Sequence, residues 1–250
     1  METCYLASCS FGKDSIAAII THLQNGGGID EAVYCRIMFD DTLSAELPEH
    51  EEWIHETAIP KLEKDWGLNT KIVQGEKTYV DQFYRKYKKG KRVGEIYGFP
   101  ILLGPWCNDR LKVVPLNKHK NTFGKSKEII GITIDEPNRM KSKRNNPDVI
   151  LPLVEHGITQ AQSFEIAKRA GLLSPAYNKG RTRLGCWFCH NQRIDELRRL
   201  RKEYPELWDR LLQLDKDSIR TFFSNATVHD FDKRFTEEDC QLNILNCLEV

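Results

Sequence analysis

Thr3-Cys4-Tyr5-Leu6-Ala7-Ser8-Cys9-Ser10-Phe11-Gly12-Lys13-Asp14-Ser15 passes from an apolar run straight into small polar residues, glycine and lysine. The run predicts a short buried strand over Thr3–Ser8. From Ser15 to Leu23 the apolar residues Ile16, Ile19, Ile20 and Leu23 fall on one face, which predicts a helix. A strand that delivers Gly and Lys directly into a helix turns several backbone N–H groups, and the positive end of the helix, toward an anion. Ser10 and Ser15 add hydroxyl donors, Gly12 permits close approach, Lys13 adds a charge, and Asp14 can orient the loop or reach a magnesium ion. The spacing is not the G-x-x-x-x-G-K-[ST] of the common ATPases. A turn and helix cap that bind nothing is the competing reading. The loop's place at the carboxyl end of the first strand, where open α/β sheets bind ligands, weighs against it.

Outward from this loop the same alternation continues. Gly26-Gly27-Gly28 breaks the chain, and Ala32–Phe39 predicts a second strand that completes a right-handed β-α-β unit. A helix over Pro48–Trp66, kinked at Pro60 and ended by Gly67, leads to a strand at Thr70–Val73. Further strands are expected at Glu128–Ile134 and Val149–Val154, and a helix at Thr159–Ala170 stopped by Gly171. Strands alternating with helices predict an α/β, Rossmann-like, doubly wound and mainly parallel sheet, assigned to residues 1–171. From Leu172 the character changes. Residues 172–250 are expected to form a small C-terminal helical, cysteine-containing subdomain with helices at Ile194–Arg201 and Glu206–Leu214.

The 250 residues carry 37 Lys and Arg against 36 Asp and Glu, so the formal charge of +1 gives no global field for a polyanion or an anionic membrane. Any anion must be met by a local patch. Two basic runs stand out, Tyr84-Arg85-Lys86-Tyr87-Lys88-Lys89-Gly90-Lys91-Arg92 and Lys141-Ser142-Lys143-Arg144. The first residues lack a basic stretch followed by an apolar one, and no run approaches the roughly 18 apolar residues of a membrane span, so a cytoplasmic protein is expected. Eight cysteines, two of them in Cys186-Trp187-Phe188-Cys189, then speak for metal or redox chemistry rather than disulfides.

The S-x-G-K-D-S loop resembles that of the phosphoadenosine phosphosulfate (PAPS) reductase-like family of the pyrophosphatase-loop superfamily. Trp106-Cys107-Asn108-Asp109-Arg110-Leu111-Lys112-Val113-Val114-Pro115-Leu116 is similar to that family's W-C-x-x-x-L-K-x-x-P-L segment. Gly131-Ile132-Thr133-Ile134-Asp135-Glu136-Pro137-Asn138-Arg139 resembles its G-x-x-x-D-E-x-x-R loop, and Leu151-Pro152-Leu153 with Gly185-Cys186-Trp187-Phe188-Cys189 completes the order. The resemblance implies a sheet that binds ATP or a related adenylate, with Ser10, Phe11, Gly12, Lys13, Asp14 and Ser15 holding phosphate or sulfate, together with Gly131. It implies further that Met38, Phe39 and Asp40 border the adenine and ribose. Lys112 and Arg139 are additional anion contacts and, with Lys13 and Asp14, the candidate catalytic residues. Asp135 and Glu136 face magnesium in this reading. The remaining histidines, His22, His50, His55, His119, His156 and His229, are scattered and read as surface or core residues.

Cys186 and Cys189 have the spacing at which two thiolates bind one metal or one cluster from a tight turn. The resemblance brings Cys107 to them, because iron–sulfur members of the family carry a Cys-Cys pair at that segment; here the second position is Asn108. Two outcomes follow. A [4Fe–4S] cluster on three thiolates leaves one iron open, whereas His190 or another cysteine would complete a tetrahedral Zn2+ site. Buried structural thiols are the competing reading. Cys4, Cys9 and Cys35 read as packing residues, with Cys9 the exception to watch because it adjoins the loop. Glu238-Asp239-Cys240-Gln241-Leu242 lacks the E-C-G-[IL]-H of the thiol-relay reductases.

Three functions follow from these features. The first is an ATP-dependent enzyme that adenylates an acceptor, releases pyrophosphate and transfers sulfur through a metal–sulfur centre. For this function the basic, tyrosine-containing stretch at 84–92 can receive a nucleic acid acceptor, against the reading of a solvated surface. The second is a sulfonucleotide (PAPS or adenylyl sulfate) reductase, which would use a cluster beside the substrate's sulfate and a thiol from Cys240 or Cys247. The third is a non-catalytic nucleotide-binding module of a larger complex, whose partner should co-purify; for the chain itself a homodimer or partner proteins are expected.

Overall fold

The computed structural model describes residues 3–100 and 105–248, with side chains as far as Gln241. Strand β1 (Cys4–Ser8) leads through the polar loop into helix α1 (Lys13–Gln24), and β2 (Glu31–Arg36) lies parallel to β1 with Leu6 opposite Glu31. Helix α2 (Pro48–Trp53), a π-helical turn (Ile54–Ala58) and α3 (Ile59–Trp66) follow, closed by Gly67 in the left-handed conformation at φ 62°. Strand β3 (Thr70–Gln74) pairs with β2, and α4 (Tyr79–Phe83) starts on a reciprocal Thr78–Asp81 cap.

A second composite helix contains α5 (Trp106–Asn108), a π turn (Asp109–Val113) and α6 (Val114–Lys120). Strand β4 (Ser126–Ile129), α7 (Pro137–Lys143), β5 (Val149–Ile150), α8 (Pro152–Glu155) and α9 (Gln160–Arg169) then complete the sheet and its cover. Beyond a 3₁₀ turn (Pro175–Lys179) come α10 (Ile194–Glu203), α11 (Pro205–Asp217) and α12 (Val228–Leu248).

The five strands are all parallel in the order β3-β2-β1-β4-β5. The order reverses direction at β1, so the loops after β1 and β4 meet at the switch point of a Rossmann-like, doubly wound α/β sheet. One core lies against the sheet, where α1 packs on α8 and α9 and buries Ile16, Ile19 and Ile20 with Ala7, Ala32, Ile129, Leu153 and Ala167. The other is largely aromatic. It joins Phe39, Tyr79, Phe83 and Phe99 to Trp187, Phe188, Leu197, Trp208, Phe222 and Phe235, so the C-terminal helices close over the segment between β2 and β4.

Three strands end short of the sequence reading. The last strand stops at Ile150 because Pro152, with no N–H to offer a ladder, sits in the first turn of α8. The fourth strand ends at Ile129 rather than continuing to Ile134, and the second ends at Arg36 rather than Phe39. Pro60 sits in an uninterrupted helical path preceded by one wide turn: Ile59 N–H reaches the Ile54 carbonyl, a five-residue span, just before the proline ring. Val114 N–H reaches the Asp109 carbonyl in the same way before Pro115. A wide turn there absorbs the proline's missing donor and its steric demand.

Candidate functional site

Gly12 caps α1 with extended backbone, and Lys13 begins the helix. The residue before the cap, Phe11, holds a φ of 55°, a left-handed conformation that bulky residues rarely adopt. Its ring secures it: fully buried, it meets Tyr34 edge-on at 5.2 Å and Trp53 at 6.5 Å. Strain held by packing next to a helix N-terminus is characteristic of ligand loops. Ser15 Oγ accepts from the Ser10 N–H at 3.2 Å and donates to the Gly12 carbonyl at 2.9 Å, which ties the loop into a ring. The Lys13 ammonium pairs with the Asp14 carboxylate at 2.8 Å.

The loop after β4 completes this floor. A Cβ at Gly131 would lie 2.5 Å from the Asp14 carbonyl oxygen, so only glycine lets the two loops touch. Above them opens a cleft of about 760 Å³ whose wall includes Ser10, Gly12, Lys13, Asp14, Ser15, Lys112, Gly131, Glu136, Arg139 and Lys143. This volume lies within the range of small-molecule sites. The structure therefore brings together the loop, Lys112, Gly131 and Arg139 as the sequence reading grouped them. Arg139 is engaged with Glu136 at 2.5 Å, and Asp135 accepts from the Gln160 N–H at 2.6 Å at the start of α9.

Met38, Phe39 and Asp40 line neither this cleft nor the thiol cavity beside it. Phe39 is a core ring, 4.5 Å from Trp187 and 5.1 Å from Phe188. Asp40 closes a turn by accepting from the N–H groups of Thr42 and Leu43; these bonds outweigh its partial burial and hold its carboxyl below the usual range.

Cys107, Cys186, Cys189 and His190 line one cavity of about 360 Å³. Cys186 and Cys189 lie on a tight turn closed by Cys189 N–H to the Cys186 carbonyl at 3.0 Å. Trp187, between them, anchors the turn by donating from its backbone to Ala45 and from Nε1 to the Ser44 carbonyl. Burial pushes the Cys107 thiol up to about 11, and Cys186 and Cys189 are raised for the same first reason. His190 is buried, its Nε2 has no hydrogen-bond partner, and burial lowers its pKa. Three clustered thiols and an orphaned imidazole nitrogen in one cavity fit a metal–sulfur group. Among the described residues, however, no group of three or more His, Cys, Asp or Glu side chains converges as ligands of one metal ion. A zinc site needs four donors within bonding reach of one atom, whereas a multi-iron cluster takes thiolates spread around its volume.

Sequence reading missed three residues here. Cys35, read as packing, lines the thiol cavity and donates its S–H to the Leu111 carbonyl at 3.3 Å. Glu46, from the loop after β2, lines it too; burial, reinforced by Glu51 and partly offset by Lys112, pushes its carboxyl up to about 7. Arg183 carried only the signal of basic text near a C-x-x-C. It lines the cleft and the thiol cavity alike, as do Ser10, Gly12, Asn108, Lys112 and Leu184. Those six residues form the wall that the two spaces share.

The basic stretch folds back on itself, with Lys86 bridging Ile96 and Tyr87 bridging Val93. Its tyrosines are occupied: Tyr87 packs on Tyr97 at 4.4 Å and accepts from Arg220 at 2.5 Å, while Tyr84 donates to Asp217. Lys86, Lys88, Lys89, Lys91 and Arg92 remain exposed, so this arm offers charge rather than free aromatic faces. Cys240 is exposed on α12, and Cys247 lies outside the residues whose side chains are described. Among the described residues no helix is long and apolar enough to cross a membrane.

Fold and site together define an α/β protein with a cleft over the β1–α1 loop at the switch point of a parallel sheet and a cysteine-lined cavity beside it. No family model matches the chain. It is similar to the uncharacterized protein MJ0066 of Methanocaldococcus jannaschii, 26% identical over 217 residues, which are 82% of this chain and 40% of that protein. The chain thus spans well under half the length of this curated relative.

Proposed function

We propose that the chain is an ATP-binding, PAPS reductase-like enzyme that adenylates an acceptor with release of pyrophosphate and then transfers sulfur to it. One observation carries this reading: the nucleotide cleft and the thiol cavity share the wall Ser10, Gly12, Asn108, Lys112, Arg183 and Leu184. An activated group formed on the loop would therefore lie next to the thiols without leaving the protein. Adenylation turns a poor oxygen leaving group into AMP, which a sulfur nucleophile can displace.

Lys13, with the N–H groups at the start of α1, would hold the pyrophosphoryl end, and Asp14 would hold Mg2+ against it. Lys112 and Arg183, on the shared wall, would offset the charge on the departing phosphate. Cys107, Cys186 and Cys189 would hold the [4Fe–4S] cluster, which would supply an open iron able to hold an exogenous sulfide, the nucleophile that displaces AMP from the adenylated acceptor. The exposed cations of the 84–92 arm would draw in a polyanionic acceptor by charge.

Incubating anaerobically purified protein with ATP, Mg2+ and candidate acceptors, and measuring AMP and pyrophosphate, tests the reading. Pyrophosphate released only with acceptor supports it. Turnover of PAPS or adenylyl sulfate with thioredoxin would establish a reductase instead, and ATP binding with no pyrophosphate from any acceptor would leave a binding module.

A further inference from the structure

The amide of Lys13 is one of the free N–H groups at the start of α1, the kind that an anion on a helix N-terminus normally receives. Here it donates to the hydroxyl of Tyr177 at 3.2 Å. A phenol that accepts one N–H still has its own proton to give, and among the described residues no acceptor takes it. The hydroxyl lines the nucleotide cleft beside Ser10, Lys13 and Ser15, while the ring is buried at 7% exposure.

The position of this hydroxyl is fixed from outside the loop. Tyr177 belongs to the 3₁₀ turn after α9, where the Ser174 hydroxyl accepts from the Ala176 N–H at 3.3 Å and is tied to His50 Nδ1 at 2.9 Å. Phe164 of α9 meets the ring edge-on at 5.9 Å. Burial pushes the phenol up to about 12, so it remains a donor at neutral pH.

We propose that Tyr177 is a ligand-binding residue whose hydroxyl extends the N-terminus of α1 and donates its proton to a tetrahedral oxyanion, a phosphate or sulfate group, seated on the loop. This rests on the nucleotide-site reading above. It makes the segment that continues through Thr182, Arg183 and Leu184 part of the phosphate site, so the strap leading to the thiols contacts the same ligand as the loop.

Inorganic pyrophosphate, phosphate and sulfate, each alone, are titrated into the full chain and into Tyr177→Phe, which keeps the ring. Loss of about tenfold in affinity for whichever anion the wild type binds is expected. Preference for pyrophosphate points to a nucleoside triphosphate, and preference for sulfate to a sulfonucleotide. Unchanged affinity overturns the proposal, and so does tighter binding, which would mean that the hydroxyl plugs the helix end. Wild-type protein that binds none of the three overturns the nucleotide-site reading itself. A ¹³Cζ-tyrosine placed at position 177 alone gives a readout independent of the variant's folding: its resonance should shift on addition of the bound anion, and a fixed resonance overturns the proposal.

Discussion

Gly131 lies against the backbone of Asp14, so that a Cβ there would stand 2.5 Å from the Asp14 carbonyl oxygen and 2.7 Å from the Ser15 nitrogen. Gly131→Ala must therefore push the loop after β4 away from the loop after β1. Destabilisation of about 1–3 kcal/mol in denaturant melts is expected, together with loss of ATP binding. Gly28→Ala, where a Cβ meets nothing within 4 Å, should change neither.

The three clustered thiols predict a shared metal dependence. Protein purified without oxygen should hold iron and sulfide and absorb visible light. Each of Cys107→Ser, Cys186→Ser and Cys189→Ser should abolish this, while Cys4→Ser and Cys240→Ser leave it intact. Colourless protein with one zinc per chain would make the cysteines structural.

Lys112 and Arg183 stand on the wall that the two cavities share, and neither forms an ion pair with a described residue. Lys112→Ala and Arg183→Ala should each weaken ATP binding by roughly tenfold, about 1.4 kcal/mol, at low salt. The difference should shrink as ionic strength rises. Calorimetric titration at two salt concentrations reads both effects, and wild-type affinity in both variants would remove the shared wall from the nucleotide site.

His50 and Glu46 give the protein two opposed pH dependences. Burial lowers the His50 imidazole from 6.5 to about 4, against the pull of Glu51 and Glu49. The unfolded chain then binds a proton that the folded one refuses, so stability falls as pH drops from about 6.5 to about 4. Glu46 is raised from 4.5 to about 7, so the folded chain keeps a proton that the unfolded one releases, and stability falls as pH rises across that window. The two slopes offset each other in the wild type. His50 Nε2 lies 3.9 Å from a Glu46 oxygen, so the two titrate as a coupled pair; Glu46→Gln should remove most of the loss toward neutrality and His50→Asn most of the acid-side loss, each by at most about 3 kcal/mol. Melting temperatures between pH 4 and pH 8 distinguish them, and parallel profiles in all three proteins would refute the assignment.

Much of the fold could be read along the chain because its signals are local. The apolar run before Ser10 and the helical spacing of Ile16, Ile19 and Ile20 depend on neighbours within one turn or one strand. Their outcome is β1, α1 and the loop between them. Where a proline intervened the local signal misled: Val149–Val154 has a strand's composition, but Pro152 turns its second half into α8. The kink expected at Pro60 became one wide turn, since a helix can absorb the missing donor upstream.

The site divides in the same way. The positions of the loop and of the Cys186-x-x-Cys189 turn were legible in the sequence, because each is marked by a short run of residues, whereas Tyr34 and Trp53 hold Phe11 in place and Ser44 and Ala45 anchor Trp187 only through the tertiary structure. Only the tertiary structure decided that Gly131 braces Asp14, that Tyr177 reaches Lys13 across 164 positions, and that Cys35, Glu46 and Arg183 share a wall with the C-x-x-C thiols. It also turned Phe39 into the aromatic core, away from the lining of the cleft. Such contacts have no period or spacing in the chain. They arise where the order of parallel strands reverses and the aromatic core pulls the C-terminal segment over the sheet's carboxyl edge.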